Sequence, residues 1–443
     1  MSNKMTVLII GSGAREHTIS CAYEKSPQVE KIIVAPGNDF IKYHRQKEVL
    51  TDNRCGLKDP ESILDIARKY KPDIVDVAQD DALALGTVDL LTENGFRVFG
   101  ATRKASRIEW DKRWSREFMR KYDIPAPGFR YFDSEKGAEE YAESLYDNEP
   151  GKLVFVKASG LCAGKGALKA TNVVEAIEKI KQMKKFGEAG RVFLIEDGLR
   201  GEEFSVYAIS DGNAYYIFKS AQDNKTVSNF DEGAQTGGMG AISPAIVTRN
   251  IATEVEDRLI SKAIEGMDKE GAPYSGILYL GGVVVDGRPM NIEYNARWGD
   301  PECQVVLPGV ETDYVDIVTA VIENRLGEVD IREDDKARVC VVGASRGYPG
   351  DYSDVKGKRI FGLEEAMNME GVTIYGAGVA VDGTNFYANG GRLFSVVAEG
   401  ADILEAKRKA YCAIAHVNIE GNNLHYRTDI GWRDVERYLK SVS

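Results

Sequence analysis

The feature that most constrains this chain is an apolar hairpin, about two thirds of the way along it, that is followed by polar residues. Strands are predicted over 276–286 and 289–295, joined by a turn at Asp286-Gly287. Side chains of an extended strand point alternately to its two faces. One face at the polar end is therefore expected to carry a carboxylate, an amide oxygen and a guanidinium, from Glu293, Asn295 and Arg297.

That face has the chemistry of a magnesium and phosphate site beside a carboxylate-binding site. Mg²⁺ takes few protein oxygens and completes its shell with substrate phosphates, and arginine grips a carboxylate with two parallel hydrogen bonds. The competing interpretation is the polar solvent face of an edge strand. This segment alone does not decide between the two.

Composition excludes several classes of protein. The chain has 443 residues, more than one hydrophobic core usually supports, so about two to four domains are expected. A net charge of -12 argues against a general nucleic-acid or acidic-membrane binder. The cysteines are scattered without Cys-x-x-Cys spacing, so neither a zinc ribbon nor a disulfide framework is expected. With no leader and no long apolar run, the reduced cytoplasm is the expected location.

The N-terminal part, 1–102, is predicted to be a small doubly wound α/β domain. It opens with a strand at 5–10, the turn Gly11-Ser12-Gly13, a helix at 14–25 and a second strand at 31–35, which is a βαβ pattern. Helices are further predicted at 63–70 and 83–94, and strands at 74–78 and 97–99.

The rest of the chain divides into an expected middle domain, 103–330, with a lid of about 125–195, and a C-terminal mixed β/α domain, 331–443. The segment 220–244 lacks any period, and a loop this long inside a domain is usually functional or mobile. Helices are predicted at 105–122, 173–185 and 401–415, and strands at 153–157, 203–209, 214–219, 337–342 and 373–381, with a hairpin near Asn389-Gly390-Gly391.

The first βα turn can bind an anion, because the free backbone amides at the start of a helix form the positive end of its dipole and point outward. A dinucleotide fingerprint needs glycine where this chain has Glu16, and the second strand ends in Pro36-Gly37-Asn38 without a carboxylate for a ribose. NAD binding is therefore disfavoured. A phosphate cradle and a merely tight turn remain, and Arg15 favours the phosphate.

A second glycine-rich loop follows Lys157 and carries Lys165. It is not a Walker A loop, because only three residues separate Gly160 from Gly164 and Gly166 replaces the Ser or Thr that holds magnesium. Glycines and lysines suit a lid that closes over a triphosphate. The alternative is a glycine-rich hairpin with solvated lysines.

Two further segments are informative only in context. The acidic stretch from Glu196 to Glu203 can offer amides to an adenine edge and a carboxylate to ribose hydroxyls, but a plain acidic turn fits equally well. The glycine-rich stretch 229–241 has the composition of a linker. Its position between strands of one domain argues against that interpretation.

Together these motifs resemble the ATP-grasp ligases, and within them the phosphoribosylamine–glycine ligase (glycinamide ribonucleotide synthetase) family. The run Arg-Trp-Gly-Asp-Pro-Glu-Cys-Gln at 297–304 is close to the signature of that family. The resemblance extends over nearly the whole chain, through Gly11–His17, Ala35–Asn38, Ala163–Gly166, Thr236–Ala241, Arg297–Gln304, Gly347–Gly350, Asn389–Arg392 and Asp429–Trp432.

The resemblance implies an activity in purine biosynthesis. ATP transfers its γ-phosphoryl group to the carboxylate of glycine, and the amine of 5-phosphoribosylamine attacks the acyl phosphate to give glycinamide ribonucleotide, ADP and phosphate. ATP and Mg²⁺ are the implied cofactors, with Mn²⁺ as an alternative ion. The implied protein is a monofunctional cytoplasmic enzyme, a monomer or weak dimer, that acts on small molecules and has no nucleic-acid or membrane partner.

The resemblance also implies roles for individual residues. Glu293 and Asn295 match the metal ligands, and Arg297 and Lys165 match catalytic residues, with Arg297 as the holder of the glycine carboxylate. The positions implied to bind ATP are Lys112, Lys157, Gly164, Lys165, Gly166, Glu196 and Glu203. The positions implied to bind the substrates are Gly11, Gly13, Arg15, Asp223, Gly237, Gly238, Arg297 and Asp300.

Several positions depart from the family pattern and leave the substrate open, because they lie where the amine, the glycine and the lid are expected to meet. One alternative is a paralogous ATP-grasp ligase that joins a different carboxylate and amine, and another is a nucleotide-binding regulatory protein. The departures are Ala78-Gln79-Asp80 for Gly-Pro-Glu, Ser159 for an acidic residue, Asn224 and Thr226 for His and Arg, and Ala234-Gln235 for Pro-Asn.

Overall fold

The N-terminal unit is a parallel sheet with helices on both faces. The structure, a computed structural model, describes residues 4–162 and 164–442. The strands are β1 (Met5–Gly11), β2 (Val29–Pro36), β3 (Glu48–Thr51), β4 (Ile74–Val77) and β5 (Val98–Phe99), in the order β3-β2-β1-β4-β5. The helices are α1 (Ala14–Lys25), α2 (Pro60–Tyr70), α3 (Asp80–Ala84) and α4 (Thr87–Glu93).

The alternation of side chains along β1 explains this layered arrangement. Val7 and Ile9 pack into the core that contains Ile19 of α1, whereas Leu8 and Ile10 pack into the core on the α2 and α4 side. A parallel sheet is buried on both faces, so the central residues of β1 are apolar on both sides of the strand. The expectation of a doubly wound α/β unit is confirmed.

The helix predicted over 105–122 is two helices, α5 (Arg107–Trp110) and α6 (Lys112–Lys121). They separate at Asp111, because its carboxylate accepts a hydrogen bond from the backbone N of Trp114 (3.1 Å) and so begins a new helix. The prediction of one helix over 83–94 is also wrong, since Gly86 adopts a positive φ of 83° between α3 and α4.

A small sheet with its own core follows; it covers most of the range predicted as the lid, and its last strand continues past 195. Its strands are β6 (Phe129–Phe132), β7 (Val154–Ala158), β8 (Ala167–Ala170) and β9 (Phe193–Asp197), in the order β6-β9-β7-β8. The helices are α7 (Glu135–Asn148), α8 (Val173–Gln182) and α9 (Glu188–Arg191). Ala138, Val156 and Ile180 belong to a hydrophobic cluster confined to this unit.

The predicted hairpin is confirmed as the edge of a central antiparallel sheet, in the order β11-β10-β14-β15. Both turn residues, Asp286 and Gly287, have positive φ, as a tight two-residue turn requires. The strands of this segment are β10 (Glu202–Asp211), β11 (Tyr215–Ile217), β12 (Gln222–Asp223), β13 (Gly240–Ser243), β14 (Ser275–Val285) and β15 (Arg288–Asn295). The helices are α10 (Ala252–Val255), α11 (Ser261–Lys269), α12 (Cys303–Val306) and α13 (Tyr314–Ile322).

The C-terminal unit has two sheets, in the orders β12-β13-β16-β21-β18, with β23 beside β16, and β19-β20-β17-β22. The strands are β16 (Ala337–Ser345), β17 (Arg359–Phe361), β18 (Val372–Gly376), β19 (Val379–Asp382), β20 (Asn385–Ala388), β21 (Arg392–Gly400), β22 (Asn418–Ile419) and β23 (Leu424–His425). The helices are α14 (Leu363–Met367), α15 (Ile403–Ile414) and α16 (Trp432–Val442). Because β12 and β13 extend the first sheet, it crosses the predicted boundary at 331.

Two predictions for this unit are wrong. The strand predicted over 373–381 is broken into β18 and β19, which belong to different sheets. The turn at Asn389-Gly390-Gly391 does not close a hairpin, because β20 pairs with β17 and β19 while β21 pairs with β16 and β18. Gly378 and Gly390 pack so closely that a Cβ on Gly390 would lie 2.9 Å from the Cα of Gly378. The glycines let the chain pass between two sheets.

Candidate active site

Glu293 and Asn295 of β15 form the centre of the candidate site. Within residues 4–162 and 164–442, neither side chain has a hydrogen-bond or ion-pair partner. Burial raises the pKa of the Glu293 carboxyl, but neighbouring cations outweigh burial and bring that pKa below its ordinary value. The cations are Lys112, Lys157, Lys225 and Arg297.

The side-chain oxygens of Glu293 and Asn295, which have no hydrogen-bond partner among the described residues, suit a hard divalent cation. Mg²⁺ prefers carboxylate and carbonyl oxygens and is usually held by one or two protein groups together with phosphates. The described part of the chain contains no cluster of three or more His, Cys, Asp or Glu side chains arranged to hold a metal. A metal at this site would therefore depend on substrate oxygens as well as on β15.

Lys157 on β7 is fixed by a buried carboxylate on β9. Its Nζ lies 2.7 Å from Glu196, and the guanidinium of Arg116 on α6 lies 2.8 and 2.9 Å from the same carboxylate. Burial raises the pKa of Glu196, but Arg116 and Lys157 bring it down to about 2. The Glu196 side chain, 1% exposed, is thus occupied by two cations and does not face an open ribose site.

Glu203 and Asp223 meet at a shared lysine. Lys225 Nζ lies 3.2 Å from Glu203, at the start of β10, and 3.3 Å from Asp223 on β12. Burial raises the pKa of the Asp223 carboxyl, and the neighbouring Glu302 carboxylate raises it further, against the opposing charge of Lys225. Asp223 Oδ1 is buried and has no hydrogen-bond partner among the described residues.

The glycine-rich loop that follows β7 does not bring all of its predicted residues to β15. Lys165 and Gly164 are exposed, and the Lys165 side chain makes no ion pair or hydrogen bond within the described chain. Gly166 is buried, and a Cβ there would lie 2.8 Å from that of Cys162. Ala163, part of the same motif, lies outside the described residues.

The Arg297 guanidinium is turned toward two carboxylates. Its Nη2 lies 2.8 Å from Glu109 and 4.0 Å from Asp80, and its Nη1 donates to the backbone oxygen of Trp298. Burial lowers the pKa of Arg297, but the two carboxylates raise it above its ordinary value. Glu109 also accepts a hydrogen bond from the backbone N of Ala296 (2.8 Å), so it holds both the guanidinium and the backbone beside it.

The first βα turn already contains a negative charge from the chain itself. The Glu16 carboxylate accepts hydrogen bonds from the backbone N of Ser12 (3.2 Å) and Gly13 (2.6 Å), and Arg15 Nε lies 2.6 Å from it. A Cβ on Gly11 would lie 2.4 Å from Glu16 Cγ. The amides assigned to an anion are thus taken by a buried carboxylate, and Arg15 also donates to Trp298 O (3.0 Å).

The remaining predicted substrate residues are held by the C-terminal unit. Arg392 Nη1, from β21, donates to the backbone oxygens of Gly237 (2.6 Å) and Asp300 (2.9 Å). Gly238 has a φ of 109°, and a Cβ there would lie 2.4 Å from Pro301 Cδ. Arg392 therefore clamps the glycine-rich loop onto the loop that follows β15.

Comparison with known proteins identifies the family. Three phosphoribosylglycinamide synthetase models match this chain: the N domain over residues 5–109, the ATP-grasp (A) domain over 110–303 and the C domain over 338–433. The chain belongs to the phosphoribosylglycinamide synthetase family of ATP-grasp ligases. The resemblance inferred from the motifs is confirmed.

Relatives of full length support this assignment. The phosphoribosylamine–glycine ligase of Chlorobaculum tepidum is 38% identical over 432 residues, covering 96% of this chain and 99% of the relative. The trifunctional purine biosynthetic protein adenosine-3 of Gallus gallus is 37% identical over 434 residues, but the chain spans only 42% of its length. The crystal structure of phosphoribosylamine–glycine ligase from Thermotoga maritima has a TM-score of 0.78 at 30% identity, covering 96% of this chain and 100% of that chain.

In this member of the phosphoribosylglycinamide synthetase family, sequence reasoning missed the residues that hold others in place. Glu109, Arg116 and Arg392 each act on a predicted residue from a distant part of the chain. Arg392 ends the family motif Asn389–Arg392, and Glu109 lies three positions before the predicted ATP-binding residue Lys112. The sequence therefore pointed to both regions but not to the partner of either residue. Within the described residues, no helix combines the length and the apolar character needed to span a membrane.

Proposed function

We propose that this protein joins glycine to 5-phosphoribosylamine at the expense of ATP, through a glycyl phosphate, to give glycinamide ribonucleotide, ADP and phosphate. The observation that carries the proposal is that Glu293 and Asn295 have no hydrogen-bond partner in the described part of the chain, although lysine and arginine side chains surround Glu293, in a chain of this family. Such an arrangement suits phosphoryl transfer, which asks a protein mainly for positioning and charge neutralisation.

The lysines near β15 would neutralise a triphosphate. Lys157 keeps its orientation because Glu196 holds it, and Arg116 holds Glu196 in turn. Glu293 and Asn295 would hold a magnesium ion, which would supply Lewis-acid stabilisation of the negative charge on the transferred phosphoryl group. Arg116 Nη2 also donates to Ile292 O (2.5 Å), at the irregular register just before Glu293, so the same arginine supports both Lys157 and the strand.

The surroundings of Arg297 suit a small zwitterion such as glycine. The Arg297 side chain is 18% exposed and that of Asp80 24%, so a carboxylate can approach the guanidinium and an ammonium can approach Asp80. Burial raises the pKa of the Asp80 carboxyl, but Arg297 and Arg15 bring it below its ordinary value, so Asp80 is ionised. We assign the glycine carboxylate to Arg297 and the glycine ammonium to Asp80.

The test is ADP release with each combination of substrates. With ATP and Mg²⁺ present, we expect sustained ADP formation only when glycine and phosphoribosylamine are both added, and glycinamide ribonucleotide as the product by mass spectrometry. Turnover with another carboxylate and amine, and none with this pair, would establish the paralogous ligase. Tight ATP binding without ADP release from any pair would establish the regulatory protein.

We further propose that Mn²⁺ can substitute for Mg²⁺ in the reaction and that the protein works in the cytoplasm as a monomer or weak dimer. Both ions accept carboxylate and carbonyl oxygens. The net charge of -12 opposes binding to nucleic acid or to acidic membranes, so small molecules are the expected partners. Metal titration of ADP release and sedimentation at several protein concentrations check these two expectations.

A further inference from the structure

The predicted lid contacts the first turn of α6 through Ser159, and we call this residue the lid root. Ser159 directly follows β7, and its backbone oxygen accepts a hydrogen bond from Lys112 N (2.9 Å). Its hydroxyl accepts from Arg113 N (3.1 Å) and donates to Asp111 Oδ1 (3.2 Å). Ser159 is 7% exposed and the Asp111 side chain 21%, so this contact is largely, but not fully, shielded from solvent. The amides at the start of α6 are therefore satisfied partly by a residue of the lid.

Asp111 links this contact to the two helices on either side of it. Its Oδ1 caps α6 through Trp114 N (3.1 Å) as well as receiving the Ser159 hydroxyl, and its Oδ2 lies 2.9 Å from Arg107 of α5. The acidic residue that the family resemblance leads one to expect on the lid is Ser159 here. In this chain α6 supplies the carboxylate at the contact, through Asp111, and the lid supplies the hydroxyl.

Lys112 lies between these contacts and is tied to the lid by its own backbone N, which donates to Ser159 O. Its ammonium is one of the charges that bring the pKa of Glu293 below its ordinary value. The same ammonium acts on Cys162 in the lid loop, where burial raises the pKa of the thiol and Lys112 opposes that increase. A rotation of the first turn of α6 would thus move Lys112 relative to both.

We propose that Ser159 and Asp111 are positioning residues that direct Lys112 toward the nucleotide phosphates by docking the lid root on α6. The proposal rests only on the nucleotide-binding half of the proposed function, and it holds for any carboxylate and amine that the enzyme joins. Two groups make the contact, one donor and one acceptor, so exchanging them between the lid and α6 preserves it. Placing a carboxylate on both sides breaks it, because like charges repel in a buried setting.

The first experiment measures ATP affinity by calorimetry in the presence of Mg²⁺. We expect Ser159→Asp to weaken ATP binding by about tenfold or more, and the exchanged variant Ser159→Asp with Asp111→Ser to return within about threefold of wild type. Ser134→Asp, which places the same charge at the exposed N-cap of α7 in the lid, is the matched control and should bind ATP like wild type.

The second experiment needs no ligand and follows hydrogen exchange of a peptide that contains Lys112 and Arg113. Lys112 N donates to the backbone oxygen of Ser159 and Arg113 N to its hydroxyl, so Ser159→Ala removes only the acceptor of Arg113 N and should accelerate exchange of the peptide modestly. Ser159→Asp, which repels Asp111, should accelerate it more, and the exchanged variant should restore protection. Wild-type ATP affinity in Ser159→Asp would overturn the proposal. If the exchanged variant fails to recover either ATP affinity or protection from exchange, the proposal is overturned as well. A contact that directs Lys112 toward the nucleotide must restore the two together.

Discussion

Two carboxylates of the site, Glu293 on β15 and Glu16 on α1, sit in comparable motifs but differ in what they are bonded to. Glu16 is buried and takes the amides of Ser12 and Gly13 and the guanidinium of Arg15. Glu293 is surrounded by cations, yet its oxygens have no hydrogen-bond partner within the described residues. The first carboxylate stabilises the fold, and we propose that the second binds a ligand. The polar atoms of a motif that make no hydrogen bond within the protein are the ones that remain available to a ligand.

The largest effect is expected where the unspent carboxylate is removed. We expect Glu293→Ala to lower kcat by about a thousandfold or more, because a metal loses its charged ligand. The free energy of unfolding should change by less than about 1 kcal/mol, because no protein hydrogen bond is lost. ADP release and urea denaturation measure the two quantities, with the exposed Glu140→Ala as the control. Wild-type turnover in Glu293→Ala would remove β15 from the site and break the comparison.

The next effect concerns Arg297, whose guanidinium is already paired with Glu109. Arg297→Lys should raise the glycine KM by about ten- to a hundredfold, because a point charge replaces a planar fork. Glu109→Gln should raise the same KM, because Glu109 fixes the guanidinium (2.8 Å). In the Arg297→Lys background, Glu109→Gln should add little. Full additivity of the two effects would show that Glu109 does not act through Arg297. Glu117→Gln, a carboxylate loss on the exposed side of α6, is the control.

A smaller effect on stability is expected where the carboxylate is spent. Glu16→Gln loses charged hydrogen bonds to Ser12, Gly13 and Arg15, and should lower the free energy of unfolding by about 2–3 kcal/mol. The ATP affinity should stay unchanged. If instead stability is retained and the KM for phosphoribosylamine changes markedly, Glu16 is displaced by substrate, and the two carboxylates are more alike than we infer.

The smallest effect is a pH dependence beside Glu16. His17 Nδ1 accepts a hydrogen bond from Gly376 N (2.9 Å), and burial, with Arg45 nearby, lowers its pKa to about 3. Between pH 6.5 and 3 the unfolded chain binds a proton that the folded chain refuses. The contribution is therefore present above pH 6.5 and is lost as the pH falls, by at most about 1.4 kcal/mol per pH unit. Denaturation at pH 7 and pH 5 measures this loss, and an identical loss in His17→Gln would contradict the assignment.

Elements with a local cause were predicted well. The helix 14–25 and the hairpin around Asp286-Gly287 follow from apolar periodicity and turn chemistry, which are properties of neighbouring residues. The C-terminal unit was predicted less well. The run 373–381 has a uniform strand composition, yet it is divided between two sheets because Gly378 and Gly390 bring distant backbones together. Nothing in the period of the sequence signals that division.

The site shows the same limit. Glu293, Asn295 and Lys157 were predicted from the polar end of one strand and the lysine at the end of another, both of which are local patterns. Glu109 was not found, because its role depends on Arg297, 188 positions later in the chain (297 minus 109). Lys165 was placed in the site by its loop, but it lies exposed in the structure.

The sequence by itself determined the family, the order of the elements and the strand that carries the unspent oxygens, because motifs and periodicity are written in neighbouring residues. Only the tertiary structure decided which charges are free. Arg15 donates to Trp298, 283 positions away, and Ser159 meets Asp111 across two units of the fold. A polar group has a fixed capacity for hydrogen bonds, and whether the chain itself uses that capacity depends on contacts formed only on folding.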